Sequence, residues 1–200
     1  KGGATKVRHE LGLSIKEMGD VRYQEMLNVE KVVNLTGMTV LDLPDGGLSE
    51  LDPRDIEHVI QTEIEKTQPD VVVTYAVHGI SGFHDHLVCH AVVKRLFLQM
   101  KDNGASYLKR LALFTLPDNG GPTFTSTGIR LKHSSKENID CVLELTSENR
   151  LMMNKALDCY VSYSDTIEKS GVKNAIRNHV YFEIFGENHE PPLTNLTAHL

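Results

Sequence analysis

A strand that leads into a histidine-rich helix is the feature that most constrains the fold of this chain. The run Val71–Tyr75 has no polar residue before Thr74, which predicts a strand buried on both faces, as in a parallel sheet. Residues 76–83 are glycine-containing and predict a loop, and the apolar spacing of residues 84–98 predicts a helix. Open α/β sheets bind ligands where strands end and helices begin. The functional site is therefore expected in this segment.

Capping and turn signals elsewhere in the chain define the remaining predicted elements. Ser14 and Glu17 form a capping box before a helix that runs to about residue 36. Asp52 and Pro53 begin a second helix that runs to about residue 66. Ser147 is the predicted cap of a helix over residues 148–169. The predicted strands are 38–43, 71–75, 111–116, 139–145 and 180–185.

The order of these elements predicts an α/β fold. Helices and strands alternate up to residue 116, which indicates a Rossmann-like, mostly parallel sheet sandwiched by helices. Residues 118–132 are rich in Gly, Thr and Ser and predict a loop or an irregular hairpin. Residues 191 and 192 are both proline and begin an irregular C-terminal extension. A length of 200 residues predicts a single domain over residues 1–200.

Composition and charge disfavour several classes of function. The net charge of -6 gives no general attraction to nucleic acid or to anionic lipid. No apolar run approaches the ~18 residues of a membrane span, and no signal peptide is visible. The three cysteines form no Cys-x-x-Cys pair, which favours a reducing, cytoplasmic location. The chain starts on a loop-like segment without methionine, so we expect it to be N-terminally truncated.

Four histidines and one aspartate lie within residues 78–90 and form the chemically densest part of the sequence. His84, Asp85 and His86 fall at the predicted helix start, and His90 lies on the same helical face as His86. Imidazole and carboxylate groups at this spacing suit Zn²⁺ or another divalent metal, and they suit acid–base chemistry equally. Taken singly, His78 is expected to bond to loop backbone and His90 to be a core or second-layer histidine. A phosphate-binding loop is disfavoured, because residues 79–82 do not match Gly-x-Gly-x-x-Gly.

Three motifs together carry a family resemblance. Residues 74–93 contain the pattern Thr-aromatic-x-x-x-Gly-Ile-Ser-Gly-x-His-Asp-His-Leu. This segment resembles the histidine motif of the LmbE/PIG-L family of zinc-dependent N-acetylglucosaminyl deacetylases. Residues 18–25 are similar to the Arg-x-x-Glu helix of that family, and residues 43–48 to its Leu-x-Asp-Gly turn. The resemblance covers about residues 1–115.

The resemblance implies a Rossmann-like hydrolase that removes the acetyl group from a small-molecule N-acetylglucosamine conjugate. His86 aligns with a zinc ligand of the family, and Asp85 with a residue that orients the catalytic histidine. Arg22 and Asp45 align with positions that hold the sugar. Zinc polarises the amide carbonyl and lowers the pKa of bound water toward ~7. A nearby imidazolium, for which His84 is the candidate, stabilises the oxyanion and protonates the leaving amine.

The sequence departs from the family pattern at the metal ligands. The His-Pro-Asp-Asp-Glu motif, which supplies the other ligands and the general base, does not occur in the chain. Since the chain begins about where that motif would end, we expect the 200 residues to bind zinc weakly or not at all, and a longer protein to bind it properly.

A second departure concerns the catalytic histidine. Phe83 occupies the aligned position of that histidine. Three alternatives follow: His84 takes over its role by a one-residue shift, His78 reaches into the site, or the activity is altered. Arg22 has an alternative role as a solvated helix residue paired with Glu17 or Glu25, and Asp45 as an ordinary turn residue.

These observations favour a metal-dependent amide hydrolase acting on an N-acetylated amino sugar. One alternative is a catalytically inactive carbohydrate-binding or assembly subunit with the same fold. Another is a zinc hydrolase of different acyl amides. The sequence leaves the oligomeric state open, a homo-oligomer included, because residues 180–185 and the tail suit either an interface or a core strand.

Overall fold

The computed structural model describes residues 2–125 and 128–200. In this part of the chain the helices are α1 (Val7–Glu10), α2 (Ile15–Val33), α3 (Pro53–Thr67), α4 (His84–Asp102), α5 (Ser147–Asp158), α6 (Ser164–Ser170) and α7 (Val172–Ala175). The strands are β1 (Val71–Tyr75), β2 (Arg110–Thr115), β3 (Thr123–Phe124), β4 (Arg130–Leu131), β5 (Cys141–Glu144) and β6 (His179–Ile184). A mixed sheet with flanking helices confirms the predicted α/β class.

The chain divides into two compact units. Unit 1 comprises the described residues within 1–48, 125–128 and 145–178, and unit 2 those within 49–124, 129–144 and 179–200. Unit 1 contains α1, α2 and α5–α7, whereas unit 2 contains α3, α4 and all six strands. The single domain over residues 1–200 stays a prediction.

The main sheet of unit 2 has the strand order β1-β2-β6-β5. β1 and β2 are parallel, with Val71 opposite Arg110 and Tyr75 opposite Phe114. β6 runs antiparallel to both β2 and β5. The parallel part of the sheet is thus the part that comes from the alternating helix–strand pattern, and the strands after residue 116 make the sheet mixed.

β1 forms one edge of this sheet, and its burial differs from the prediction. Val72 packs against the core beneath α4, but 51% of Val73 is exposed. Successive side chains of a strand point to opposite faces. The prediction of burial on both faces is therefore wrong at Val73, which is in solvent at the edge of the sheet, although Val71 on the same face packs against buried residues.

Both faces of the central strands carry apolar clusters. The first cluster joins α3, α4 and β2 through Ile64, Val93, Leu96, Phe97, Met100, Leu108, Leu111 and Leu113. The second joins the opposite face to the C-terminal residues through Ala112, Cys141, Phe182, Ile184 and Leu193. The strand predicted at residues 180–185 is thus a core strand, and the irregular extension covers part of the sheet.

The extension is held by one buried cation. Arg110 is 2% exposed and forms an ion pair of 2.7 Å with Glu187. Its guanidinium also donates to the carbonyl oxygens of Leu196 and Ala198. These bonds satisfy a charged group that would otherwise be costly to bury.

Two predicted elements are wrong. Residues 38–43 form no strand; a strand needs a neighbour for its backbone groups, which an apolar pattern does not reveal. The helix predicted over 148–169 ends at Asp158, and after a short 3₁₀ turn α6 begins at Ser164. Tyr160 has non-helical dihedrals and its hydroxyl contacts the sulfur of Met26, so a tertiary contact overrides the local helix signal.

Other local predictions are confirmed. Ser14 and Glu17 form the capping box of α2, and Asp52 caps α3 with Pro53 at its first position. β3 and β4 make the irregular hairpin predicted within 118–132, of which residues 126 and 127 lie outside the described residues. None of the helices in the described ranges has both the length and the apolar character that crossing a bilayer requires.

Candidate functional site

His86 lies in the first turn of α4 with a defined tautomer. Its Nδ1 is 2.9 Å from the carbonyl oxygen of Gly79 and 3.1 Å from Oγ of Ser81. Because a carbonyl oxygen only accepts hydrogen bonds, Nδ1 carries the proton in the neutral ring. Nε2 is then the nitrogen with a free lone pair, which is the arrangement of a histidine that binds a metal or accepts a proton.

Two aromatic rings fix the plane of the His86 imidazole. The ring of Tyr75 stacks on it at 4.1 Å with an angle of 8° between the planes. Phe83 meets it edge-on at 5.6 Å and 75°. His90 is 7% exposed and its Nδ1 donates to the carbonyl oxygen of Tyr75 at 2.8 Å, which confirms the prediction of a core histidine. Burial raises the pKa of the Tyr75 hydroxyl.

His84 and Asp85 share the first turn of α4 with His86, but their surroundings differ. His84 is exposed, whereas Asp85 is half-buried. Burial, and secondarily the nearby charge of Asp85, raise the pKa of the Cys89 thiol, so this thiol is not an activated nucleophile. A carboxylate in the first turn also complements the positive end of the helix dipole.

The loop before α4 has a strained backbone next to His86. Gly79 and Ile80 both have left-handed dihedrals, with φ of 61° and 59°. A β-branched residue adopts this conformation rarely. A Cβ on Gly79 would lie 2.9 Å from Cβ of His86, so only glycine allows the close approach of loop and helix.

His78 anchors this loop in a buried polar network. Its Nδ1 accepts the N–H of Ile80 at 3.1 Å, which confirms the predicted bond to loop backbone. Its Nε2 is 3.3 Å from Oγ of Ser134 and 3.4 Å from Oγ1 of Thr115, and Ser134 also donates to Glu183. Sequence reasoning missed the last three residues, because strand pairing brings them to the loop from distant positions.

Two cavities of unit 2 lie near this loop. One of about 410 Å³ is lined by His90, Lys94, Glu183 and residues 184–188, among others. The other, of about 480 Å³, lies at the hairpin and is lined by Asp118, Arg130, Lys132 and His133, among others. Neither is lined by His84, Asp85 or His86.

Arg22 of unit 1 is in cation–π contact with two aromatic rings. Its guanidinium carbon is 4.8 Å from the ring centres of both Tyr160 and Tyr163. Nη1 is 3.5 Å from the Glu25 carboxylate and is buried without a hydrogen-bond partner among the described residues. Glu25 in turn accepts from the backbone N–H and the hydroxyl of Ser162, at 2.6 and 3.0 Å. The alternative of a pair with Glu25 is confirmed, but a solvated side chain is not, since the side chain is 21% exposed.

Asp45 is an exposed residue of the turn at residues 44–47. The N–H of Gly47 donates to the carbonyl oxygen of Pro44 at 3.2 Å, and Gly46 has a φ of 74°. Asp45 and Arg22 belong to unit 1, and His84, Asp85 and His86 to unit 2. The structure therefore brings the three α4 residues together, and the roles of all five stay predictions.

The donor atoms of the described residues do not make up a complete metal site. Within residues 2–125 and 128–200, no group of three or more His, Cys, Asp or Glu side chains is placed to hold an ion. His86 has the tautomer that a metal ligand requires. It is one ligand, however, and a catalytic zinc takes three protein ligands.

Comparison with known proteins identifies a matching family. The family described as PIG-L: GlcNAc-PI de-N-acetylase matches residues 1–119. No curated protein matches the chain. The matched range includes the loop at residues 76–83 and all of α4. The family resemblance expected from the sequence motifs is confirmed.

Proposed function

The chain belongs to the PIG-L family of GlcNAc-PI de-N-acetylases, and we propose that it removes the N-acetyl group from an N-acetylglucosamine-type sugar conjugate. The observation that carries this proposal is the geometry of His86. Its protonated Nδ1 is bound to the Gly79 carbonyl, its ring is held by Tyr75, and its Nε2 is left with a lone pair. A metal-binding or proton-accepting imidazole requires such a fixed tautomer and ring orientation.

The proposed reaction depends on a divalent metal, Zn²⁺ or another, with His86 as one of its ligands. Such an ion supplies polarisation of the acetamide carbonyl and a water of lowered pKa. The described residues do not make up the complete ligand set, and His86 is the one ligand proposed among them.

His84 is the proposed stabiliser of the oxyanion and proton donor to the leaving amine. It is exposed and adjacent to Phe83, which occupies the aligned position of the family histidine. The alternative that His78 reaches into the site is disfavoured, because its two ring nitrogens are within hydrogen-bond distance of Ile80, Ser134 and Thr115. Asp85 is the proposed orienting residue for His84.

Arg22 and Asp45 are the proposed sugar-binding residues. The Arg22 guanidinium is oriented by two tyrosine rings and has one buried N–H group without a hydrogen-bond partner in the described residues. A buried charged donor of this kind is costly unless an acceptor is supplied. A hydroxyl or phosphate oxygen of the substrate is such an acceptor.

The lining of the 480 Å³ cavity at the β3–β4 hairpin supports the proposal that the substrate carries an anionic group. Arg130, Lys132 and His133 contribute basic side chains to its lining, against one carboxylate from Asp118. The backbone N–H of Lys132 donates to the carbonyl oxygen of Ile80 at 2.7 Å, which ties this cavity to the His86 loop. The family description names a phosphatidylinositol conjugate, whose phosphodiester is such a group.

The deciding experiment measures acetate release by the protein from N-acetylglucosamine conjugates with and without a phosphodiester. We expect zinc-dependent release, a loss of at least about 100-fold in kcat for His84→Ala, and a higher KM for Arg22→Lys. Arg130→Ala is expected to raise KM for the phosphodiester conjugate alone. Release that is unaffected by His84→Ala would exclude the assigned role of His84.

The alternative function is a catalytically inactive carbohydrate-binding or assembly subunit. Phe83 at the histidine position favours it, and the same assay separates the two, because a binding subunit shows affinity for the conjugate without acetate release. A cytoplasmic location and a homo-oligomeric state stay predictions, which fractionation and light scattering test.

A further inference from the structure

We propose that His78 is a positioning residue that fixes the tautomer and orientation of His86 through one shared peptide group, between Gly79 and Ile80. Its catalytic consequence rests on the proposed function, but the geometry of the proposal does not. The two histidines never need to touch, because each is bonded to an opposite end of that peptide group.

The first step is the tautomer of His78. Its Nδ1 accepts the N–H of Ile80 at 3.1 Å, so Nδ1 carries no proton and Nε2 carries it in the neutral ring. Nε2–H then donates toward Oγ of Ser134 at 3.3 Å. Burial lowers the pKa of His78, which is consistent with a neutral ring.

The second step is the anchor of His78. Ser134 is 4% exposed, lies 2.5 Å from Oγ1 of the fully buried Thr115, and donates its own proton to Glu183. Thr115 belongs to β2 and Glu183 to β6. His78 is therefore tied to two central strands of the sheet rather than to the loop alone.

The third step is the peptide group itself. Its N–H belongs to Ile80 and is bound by His78, and its carbonyl belongs to Gly79 and accepts from Nδ1 of His86 at 2.9 Å. In a trans peptide the N–H and C=O point in opposite directions, so one plane serves both rings. Turning this plane would break both bonds at once.

The strain of the loop indicates that the plane needs support. Both residues that flank the peptide group are in the left-handed region, and one of them is the β-branched Ile80. Ile80 is held on its other side by the N–H of Lys132, which donates to its carbonyl oxygen at 2.7 Å. Bonds through a polarised peptide group also strengthen one another, so His78 improves the acceptor that orients His86.

Two substitutions at residue 78 separate the bonds. In His78→Asn the amide oxygen replaces Nδ1 and keeps the bond to the Ile80 N–H, but it cannot reach Ser134. In His78→Gln the terminal amide replaces Nε2 and keeps the contact with Ser134, but it loses the bond to Ile80. His78→Ala loses both. His58→Asn, on the exposed face of α3, is the matched control.

The primary measurement is the pair of ¹⁵N shifts of the His86 ring at pH 8, without metal, which report the tautomer independently of activity. We expect the Nδ1–H tautomer in the wild type, in His58→Asn and largely in His78→Asn, and a mixture of tautomers in His78→Gln and His78→Ala. In the active protein we expect kcat to fall about 10- to 100-fold in His78→Ala, with a smaller loss in His78→Asn and KM nearly constant.

Two results would overturn the proposal. One is an unchanged His86 tautomer in His78→Ala; the other is a His78→Asn variant as disturbed as His78→Gln, which would mean that only packing matters. If His78→Ala does not fold, the Asn and Gln pair decides. If the wild type shows no deacetylation, the proposed function fails, while the ring shifts still test the positioning role.

Discussion

At the scale of single residues, the site is governed by how closely the loop at residues 76–83 approaches α4. Gly79 lies over the first turn of the helix, where an added Cβ would come within 2.9 Å of His86 and 3.1 Å of Leu87. Gly82 has a similar positive φ of 71° but nothing within 4 Å of such an atom. Substitutions at the two glycines therefore distinguish the cost of a positive φ, which both share, from the cost of a steric clash, which arises at Gly79 alone of the two.

We expect Gly79→Ala to lower the free energy of unfolding by about 2–4 kcal/mol, because it adds a steric clash to an unfavourable φ. Gly82→Ala carries the φ cost alone and should lose about 1–2 kcal/mol. Urea denaturation of the two variants measures the difference. Equal losses would mean that the loop moves away from α4 without cost.

His78 gives the folded state a pH dependence of known sign. Burial lowers its pKa below the ordinary value of 6.5, so the unfolded chain binds the proton more readily than the folded chain does. This contribution to stability is fully present above pH 6.5 and is lost as the pH falls through the folded pKa. We expect the loss of stability between pH 7 and pH 5 to be smaller in His78→Asn than in the wild type, as measured by urea titrations at each pH.

At the scale of elements, local signals predicted what local interactions decide. The capping box of α2, the Asp52-Pro53 start of α3 and the strand–loop–helix from β1 to α4 are set by residues close in the chain, and they occur as predicted. The failed strand at 38–43 and the interrupted helix after Asp158 depend on partners far away in sequence. Ser134 and Glu183 could not be predicted from the sequence for the same reason, because they contact the loop from distant positions in the chain. His86 and its loop could be predicted because they lie in one contiguous motif.

The start of α5 offers a direct test of one such difference. Ser147 was the predicted cap, but the side chain of Thr146 accepts the N–H of Asn149 at 3.1 Å, and Asn149 accepts that of Thr146 at 3.0 Å. We expect Thr146→Ala to cost about 1 kcal/mol in free energy of unfolding, and Ser147→Ala less than half of that. Thermal denaturation of the two variants checks the assignment, and the reverse order would restore the original prediction.

At the scale of the whole molecule, the C-terminal residues of unit 2 depend on Arg110. Replacing it by Met removes donors from the carbonyl oxygens of Leu196 and Ala198 and breaks the ion pair with Glu187, whose carboxylate keeps its contact with His189. We expect a loss of about 3 kcal/mol, the lower end for a broken buried ion pair, because Glu187 is partly exposed. Urea denaturation measures this loss, and limited proteolysis should show earlier cleavage after residue 190.

Metal content is the other property that belongs to the whole molecule. Since the described residues bring together no set of three ligands, we expect less than stoichiometric zinc in the purified 200-residue chain. Elemental analysis after dialysis checks this. Tight stoichiometric zinc in the 200-residue chain would contradict the expected ligand count.

The position of β1 at the end of the sheet also affects how this chain behaves in concentrated solution. Its outward amide and carbonyl groups face no other strand in the described order, and its sequence Val-Val-Val-Thr-Tyr contains neither charge nor proline. Natural sheet edges commonly carry such residues to prevent strand addition between molecules. Concentrated samples should therefore self-associate through β1, and a lysine at Val73, whose side chain is already in solvent, should improve solubility without disturbing the core.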